Sequence, residues 1–284
     1  MALFSDVLIT SDFDRTLTDR ESNIPERNLE AIRYFMDNGG AFTLNTGRSL
    51  PIYQRYMDLI PCNAPVILYN GSAAYDLEKQ EFAFCHRIDL DLADTVRTIT
   101  EMAPEMILEL QGGDSHFIFR ENPIWHYFNS LVGCKGAYVP VETVTDHFIK
   151  LCVYAQLEEP SVGHLFRGTE EQVRRFDALE AALRRHFGDK LTVIRAAARI
   201  IDLHAPGISK GKAAVELKQQ LGRKILVCVG DEENDVSMLD MADYSFCPCD
   251  SPMAQRYETV CSCGEGALAD VIYKKIPEIL GFQP

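Results

Sequence analysis

Val7-Leu8-Ile9-Thr10 is an uninterrupted apolar run, too short for a helix and bounded by polar residues, and it leads straight into Ser11-Asp12-Phe13-Asp14. Such a run suits a strand covered on both faces, which is the condition of a parallel sheet. Two carboxylates one residue apart then fall at the strand's C-terminal end. A carboxylate there can be a nucleophile, a metal ligand or a proton donor, given suitable neighbours. An Asp pair in a turn is also an ordinary solvated feature, because Asp bonds its own backbone. The rest of the chain decides between the two.

The pattern after Asp14 is an alternation. Asn23-Ile24-Pro25 opens a helix with Pro25 in its first turn, Leu29, Ile32, Phe35 and Met36 on one face, and Gly39-Gly40 as the stop. Ala41 to Asn45 reads as a second strand ending at Thr46-Gly47-Arg48, a further helix spans Ile52 to Leu59, and Pro65 to Tyr69 reads as a third strand ending at Asn70-Gly71. Strands alternating with helices predict a doubly wound parallel sheet, whose ligands gather beyond the C-terminal strand ends. Asp12, Asp14 and Thr46 all fall there.

Between about Phe84 and Leu191 the alternation gives way to strands at Met106–Leu110, His116–Phe119 and Phe148–Tyr154 with long links. One strong helix follows: Thr169 and Gln172 form a capping box, Val173, Phe176, Leu179 and Leu183 make the stripe, and Gly188 ends it. This predicts an inserted α+β domain at 84–191. Alternation returns with a strand at Arg199–Leu203, a helix from Ser209 to Leu221 and the strand Ile225–Val229, which ends in Gly230-Asp231-Glu232-Glu233-Asn234-Asp235. A helix through Val236, Leu239 and Met241, a strand at Tyr244–Cys247 and a short helix from Ala267 to Ile272 complete the chain. The second acidic cluster thus sits, like the first, at the end of a buried strand.

Composition narrows the partners. With 28 basic and 42 acidic side chains the formal charge is -14, and no basic stripe offsets it, so nucleic acid and anionic membranes are excluded as expected partners. No apolar run is long enough to span a bilayer, and Asp6 and Asp12 occupy the place of a signal peptide's basic and apolar regions, which predicts a cytoplasmic protein. The nine cysteines, an odd number, do not suggest a disulfide framework. Cys247-Pro248-Cys249 and Cys261-Ser262-Cys263 are too closely spaced for the usual structural zinc pattern and read as loop thiols.

Asp12-Phe13-Asp14-Arg15-Thr16, Thr46-Gly47-Arg48, Ser209-Lys210-Gly211 and Gly230-Asp231-Glu232-Glu233-Asn234-Asp235, in that order, resemble the four motifs of the haloacid dehalogenase superfamily. The chain is similar to its Cof-type members, which carry a large C2B cap between the second and third motifs; Asn70-Gly71-Ser72 and Gly264-Glu265-Gly266-Ala267 extend the likeness. The resemblance implies an α/β fold: a doubly wound, Rossmann-like core at 1–83 and 192–284 with the α+β cap at 84–191. It implies that Asp12 attacks phosphorus to form an aspartyl-phosphate and that Asp14 protonates the leaving alcohol, then activates water, for which a raised pKa is suited. Magnesium is the implied cofactor, held by the Asp12 carboxylate, the Asp14 backbone carbonyl and Asp231, with Asp235 close behind.

By the same resemblance Thr46 and the Gly47 backbone donate to the phosphate, with Arg48 beside them, and Lys210 neutralises the aspartyl-phosphate. Lys210 is chosen over Lys212 because glycine follows it. Asn234 contacts the phosphate or caps its helix. Arg15 departs from the family, where glycine commonly stands at that place; it either reaches an anionic substrate or lies on the surface. In the cap, His116, Arg120, Trp125 and His126 are candidates for contact with a polar ligand, although a tryptophan is more often core and a lone histidine more often a satisfied surface or core residue. The implied function is a magnesium-dependent phosphatase of small phosphorylated metabolites, such as sugar phosphates, acting as a monomer or small homo-oligomer. The alternatives are a phosphomutase of the phosphomannomutase kind and a non-catalytic metabolite-binding regulator.

Overall fold

The structure is a computed structural model that describes residues 2–131, 133–144, 148–156, 165 and 167–282. It divides into two compact units: 1–46, 56–84 and 209–284 form the first, and 47–55 with 85–208 the second.

The first unit is built on a parallel five-stranded sheet in the order Glu258–Val260, Tyr244–Pro248, Ile225–Val229, Val7–Ser11, Ala41–Leu44. The apolar runs produce this arrangement because a strand buried on both faces leaves no alternation to satisfy, and all residues of Val7–Ser11 and Ala41–Leu44 are buried. Leu8, Leu226 and Cys228 pack with Ala213, Ala214 and Leu217 of the helix Lys210–Gln220 and with Met238 and Leu239 of the helix Val236–Met241. Elsewhere in the unit Asn28, in the helix Glu26–Asp37, ties chain segments together: Nδ2 donates to Leu17 O at 2.9 Å and Oδ1 accepts from Ala269 N at 3.0 Å. From Val7–Ser11 the chain passes to Ala41–Leu44 on one side, while Ile225–Val229 lies on the other, paired so that Ser11 is opposite Val229. This reversal of winding opens a crevice beyond the ends of two adjacent strands.

The expected third strand is shorter than its apolar run and mostly antiparallel in its pairing. Val66–Leu68 touches the parallel sheet through one parallel bridge, Asn45 to Ile67, and otherwise heads a three-stranded sheet with Ala73–Asp76 and Glu81–Cys85. The reason is local: Tyr69 and Asn70 take positive φ values of 52° and 56°, which turn the chain back on itself. The expected 52–59 helix is also shorter, an α-turn at Leu50–Tyr53 followed by a 3₁₀ turn at Gln54–Tyr56.

The second unit carries a six-stranded sheet in the order Thr192–Ala197, Ile200–His204, Lys150–Tyr154, Ile107–Gln111, Ser115–Ile118, Lys135–Tyr138. All pairings are antiparallel except the last. One face is apolar: Leu108, Leu110, Leu151, Val153, Ile201 and Leu203 form a core with Val96 and Ile99 of the helix Leu92–Met102 and with Phe176, Leu179 and Leu183 of the helix Glu170–Phe187. The Thr169–Gln172 capping box opens the latter helix as its sequence predicts. The alternate residues, Glu109, Gln111, Lys150, Asp202 and His204, are polar yet buried.

These strands correct the expected boundary after residue 191. Arg199–Leu203 was expected in the parallel core, but Ile200–His204 pairs antiparallel with Lys150–Tyr154 inside the second unit. Its Ile200-Ile201 start resembles a core strand, whereas Asp202 and His204 mark a strand with one polar face. The 47–55 segment, expected in the core at 1–83, also belongs to the second unit. There Lys150 Nζ donates to Gly47 O at 2.9 Å and His116 Nε2 lies 2.9 Å from Ser49 Oγ.

Candidate active site

Asp12 leaves the sheet in extended conformation, its N–H donating to Val229 O at 2.8 Å, and thereby stands beside the loop that follows Val229. Asp231 and Asp235 lie on that loop. Asp235 is bound into it, since its Oδ2 accepts the N–H groups of Asp231 at 3.0 Å and Glu232 at 3.1 Å. Ser251 Oγ donates to Asp231 O at 2.7 Å, and Thr16 Oγ1 donates to Asp231 Oδ1 at 3.0 Å.

Lys210 is the first residue of its helix, after the N-cap Ser209, whose Oγ accepts from Lys212 N at 3.2 Å. Asn45 Nδ2 fixes this helix start by donating to Lys210 O at 2.9 Å. Two glycines let it come close: a Cβ on Gly71, whose φ is +99°, would sit 2.4 Å from Ser209 O, and one on Gly211 would sit 2.0 Å from Ser237 O. The buried Lys210 Nζ then donates to Asp12 Oδ1 and to Asp235 Oδ1, each at 2.6 Å. Lys212, by contrast, is exposed.

Asp12, Asp231 and Asp235 are all buried, and each offers an oxygen within 4.8 Å of the others'. Burial, followed by the charges of Asp12 and Asp235, pushes the Asp231 carboxyl up to about 8. Burial and Asp235 raise Asp12 in the same way, with Lys210 pulling it back. Burial disfavours the Lys210 ammonium, but Asp12 and Asp235 more than compensate and hold its pKa above the ordinary lysine value. The cluster therefore concentrates more negative charge than one ammonium offsets. An all-oxygen set of this charge suits a hard divalent cation. Among the described residues it is the one group with the arrangement of a metal site, and the thiols of the two Cys-x-Cys pairs form none.

The structure thus brings together Asp12, Lys210, Asp231 and Asp235 from three separate stretches of sequence. Asp14 is exposed two residues beyond Asp12, and Asn234 is half-buried in the 3₁₀ turn Glu233–Asp235. Thr46 is buried at the end of its strand, with N donating to Ile67 O and O accepting from Asn70 N, both at 3.0 Å. Gly47 and Arg48 belong to the second unit. Arg15 is an ion-pair partner within the core: Nε is 3.6 Å from Asp231 Oδ2, and the guanidinium also bonds Glu232.

The cap candidates have internal partners. Trp125 is buried with Nε1 donating to Glu109 Oε2 at 2.6 Å, His116 Nδ1 lies 3.0 Å from Glu109 Oε1, Arg120 bonds Pro104 O, and His126 Nε2 lies 2.9 Å from Glu121. Sequence reasoning missed the supporting roles of Thr16, Asn45 and Ser251. Thr16 belongs to the first acidic motif and could have been found there; Ser251 has no local signal.

A sequence model of haloacid dehalogenase-like hydrolases matches residues 9–249. The chain is 26% identical over 242 residues to the putative phosphatase YxeH of Bacillus subtilis, covering 83% of this chain and 84% of that one. It is 25% identical over 241 residues to the HMP-PP phosphatase of Serratia proteamaculans, covering 82% and 80%. The fold matches a solved structure described as the HAD subclass IIB sugar phosphatase BT4131, with a TM-score of 0.73 at 18% identity over 96% of this chain and 98% of that one. No helix among the described residues is long and apolar enough to cross a membrane. Phosphatases of this kind act on small phosphorylated substrates with a divalent metal, and the three-carboxylate cluster fits one. The chain belongs to the haloacid dehalogenase-like hydrolase family, as a phosphatase.

Proposed function

We propose that this protein hydrolyses phosphate monoesters of small metabolites, sugar phosphates foremost, with magnesium and through an aspartyl-phosphate on Asp12. The observation that carries the reading is Lys210 Nζ held at 2.6 Å from both Asp12 and Asp235, with Asp231 beside them. The sugar phosphatase that shares the fold and the HMP-PP phosphatase among the relatives support a small phosphorylated substrate.

Asp12 is the nucleophile: one oxygen is tied to Lys210, which fixes the carboxylate's direction and leaves the other for phosphorus. A phosphate dianion repels a carboxylate, so the reaction needs positive charge placed where charge accumulates. Lys210 supplies one such charge and is kept protonated by Asp12 and Asp235. Asp12, the Asp14 carbonyl and Asp231, with Asp235 in support, would hold magnesium, which would supply the remaining positive charge. Asp14, exposed and two residues on, gives its proton to the leaving alcohol and later takes one from water. Thr46 and Asn234 are assigned to the phosphate oxygens.

Phosphate release from a panel of phosphorylated metabolites, with magnesium or with chelator, tests the reading. Asp12→Asn should lower turnover by at least about a thousandfold, the scale of losing a nucleophile, and chelator should do the same to the wild type. Equal release by Asp12→Asn and wild type rejects the mechanism.

A further inference from the structure

Arg15 is held in a conformation that side-chain-bearing residues rarely adopt, with φ at +58°. Its own N–H donates to Thr18 Oγ1 at 3.1 Å, and its guanidinium reaches back over the second acidic loop. There Nε faces Asp231 Oδ2 at 3.6 Å, while Thr16 Oγ1 already occupies Asp231 Oδ1 at 3.0 Å. One turn, Phe13–Leu17, therefore presents donors to both oxygens of Asp231.

Charge counting gives this contact a consequence. With all three carboxylates ionised, the Lys210 ammonium leaves two negative charges, which a divalent cation would balance; Arg15, shared with Glu232, offsets part of this charge before any cation arrives. The guanidinium is also able to leave. Its side chain is 50% exposed, whereas that of Asp231 is 3% exposed, and Glu232, the closer partner that it hydrogen-bonds, is 41% exposed. A cavity of about 360 Å³ lined by Arg15, Arg20, Asp231, Asp250 and Ser251 adjoins it.

We infer that Arg15 is a built-in competitor of the divalent cation: its guanidinium lies against Asp231 Oδ2 in the cation-free protein, lowers cation affinity, and withdraws onto Glu232, which it already bonds, when the cation binds. The inference rests on the reading of Asp12, Asp231 and Asp235 as the magnesium site. Arg15 is a positioning residue, acting on Asp231.

The test is calorimetric titration of magnesium into the full chain at ~0.15 M salt, where distant charges are screened. Wild type is compared with Arg15→Gln, Arg20→Gln and Arg15→Gln/Asp231→Asn. Arg20 lines the same cavity but pairs with Asp250 at 3.2 Å, so its removal controls for simple loss of positive charge. Arg15→Gln should bind magnesium about fivefold more tightly, the scale of one partly exposed ion pair, with Arg20→Gln unchanged and the double variant without binding. Equal or weaker binding by Arg15→Gln, or an equal gain in Arg20→Gln, overturns the inference while leaving the metal site standing. Undiminished binding by the double variant overturns the metal site itself. A second readout needs no activity: in chelator Arg15→Gln should melt below wild type, and saturating magnesium should close that gap. Identical melting in chelator contradicts the inference.

Discussion

Gly211 shows how one missing side chain places a buried lysine. A Cβ there would come within 2.0 Å of Ser237 O, so only glycine lets the Lys210–Gln220 helix settle on the Val236–Met241 helix. Gly211→Ala should cost about 1–3 kcal/mol of stability, as overpacking does, seen as a lower urea midpoint, and lower turnover by displacing Lys210; an unchanged midpoint would contradict the packing argument. The glycine after Lys210 was legible as part of a motif, and it selected Lys210 over Lys212; of the two, Lys210 is the buried one. Its physical reason was not legible, because the partner, Ser237, lies on another helix. Asp235 illustrates the same limit: that its Oδ2 accepts two backbone N–H groups depends on the fold of the loop rather than on any residue type.

Apolar periodicity identified most strands and the capped Glu170–Phe187 helix, because a covered face imposes its repeat on the sequence. It failed where two environments share one pattern: Ile200–His204 reads as a parallel core strand until Asp202 and His204 are seen as one polar face. That face is a buried network. Burial works against the Glu109 charge, yet His116, Gln111 and Trp125 hold its carboxyl down to about 2. Burial pushes the His204 imidazole down to about 3, Lys150 adding to the effect and Asp202 opposing it. A histidine whose pKa is depressed on folding contributes stability that is fully present above the unfolded value of 6.5 and is lost as pH falls from there toward about 3. The loss approaches at most about 1.4 kcal/mol per pH unit for one proton. Urea midpoints measured from pH 7 to pH 5 should therefore fall more steeply for wild type than for His204→Gln, which keeps a polar side chain without titrating; parallel curves would contradict the assignment.

The order of motifs along the whole chain was legible because each ends a buried strand or opens a helix. A parallel sheet converts that order into proximity: Ser11 and Val229, 218 positions apart, are register partners, so the residues just beyond them meet. The boundary of the two compact units was less legible, since the strands at Thr192–Ala197 and Ile200–His204 and the 47–55 segment carry no local mark of the unit they join. The family's phosphatase activity and the charge cluster around Lys210 lead to one chemical claim, that phosphate passes through Asp12. Acid quenching during turnover of a phosphorus-labelled metabolite, followed by peptide mapping, tests that claim most directly. The account predicts a hydroxylamine-labile label on the peptide containing Asp12, absent in Asp12→Asn; phosphate released at full rate with no label on that peptide would contradict it.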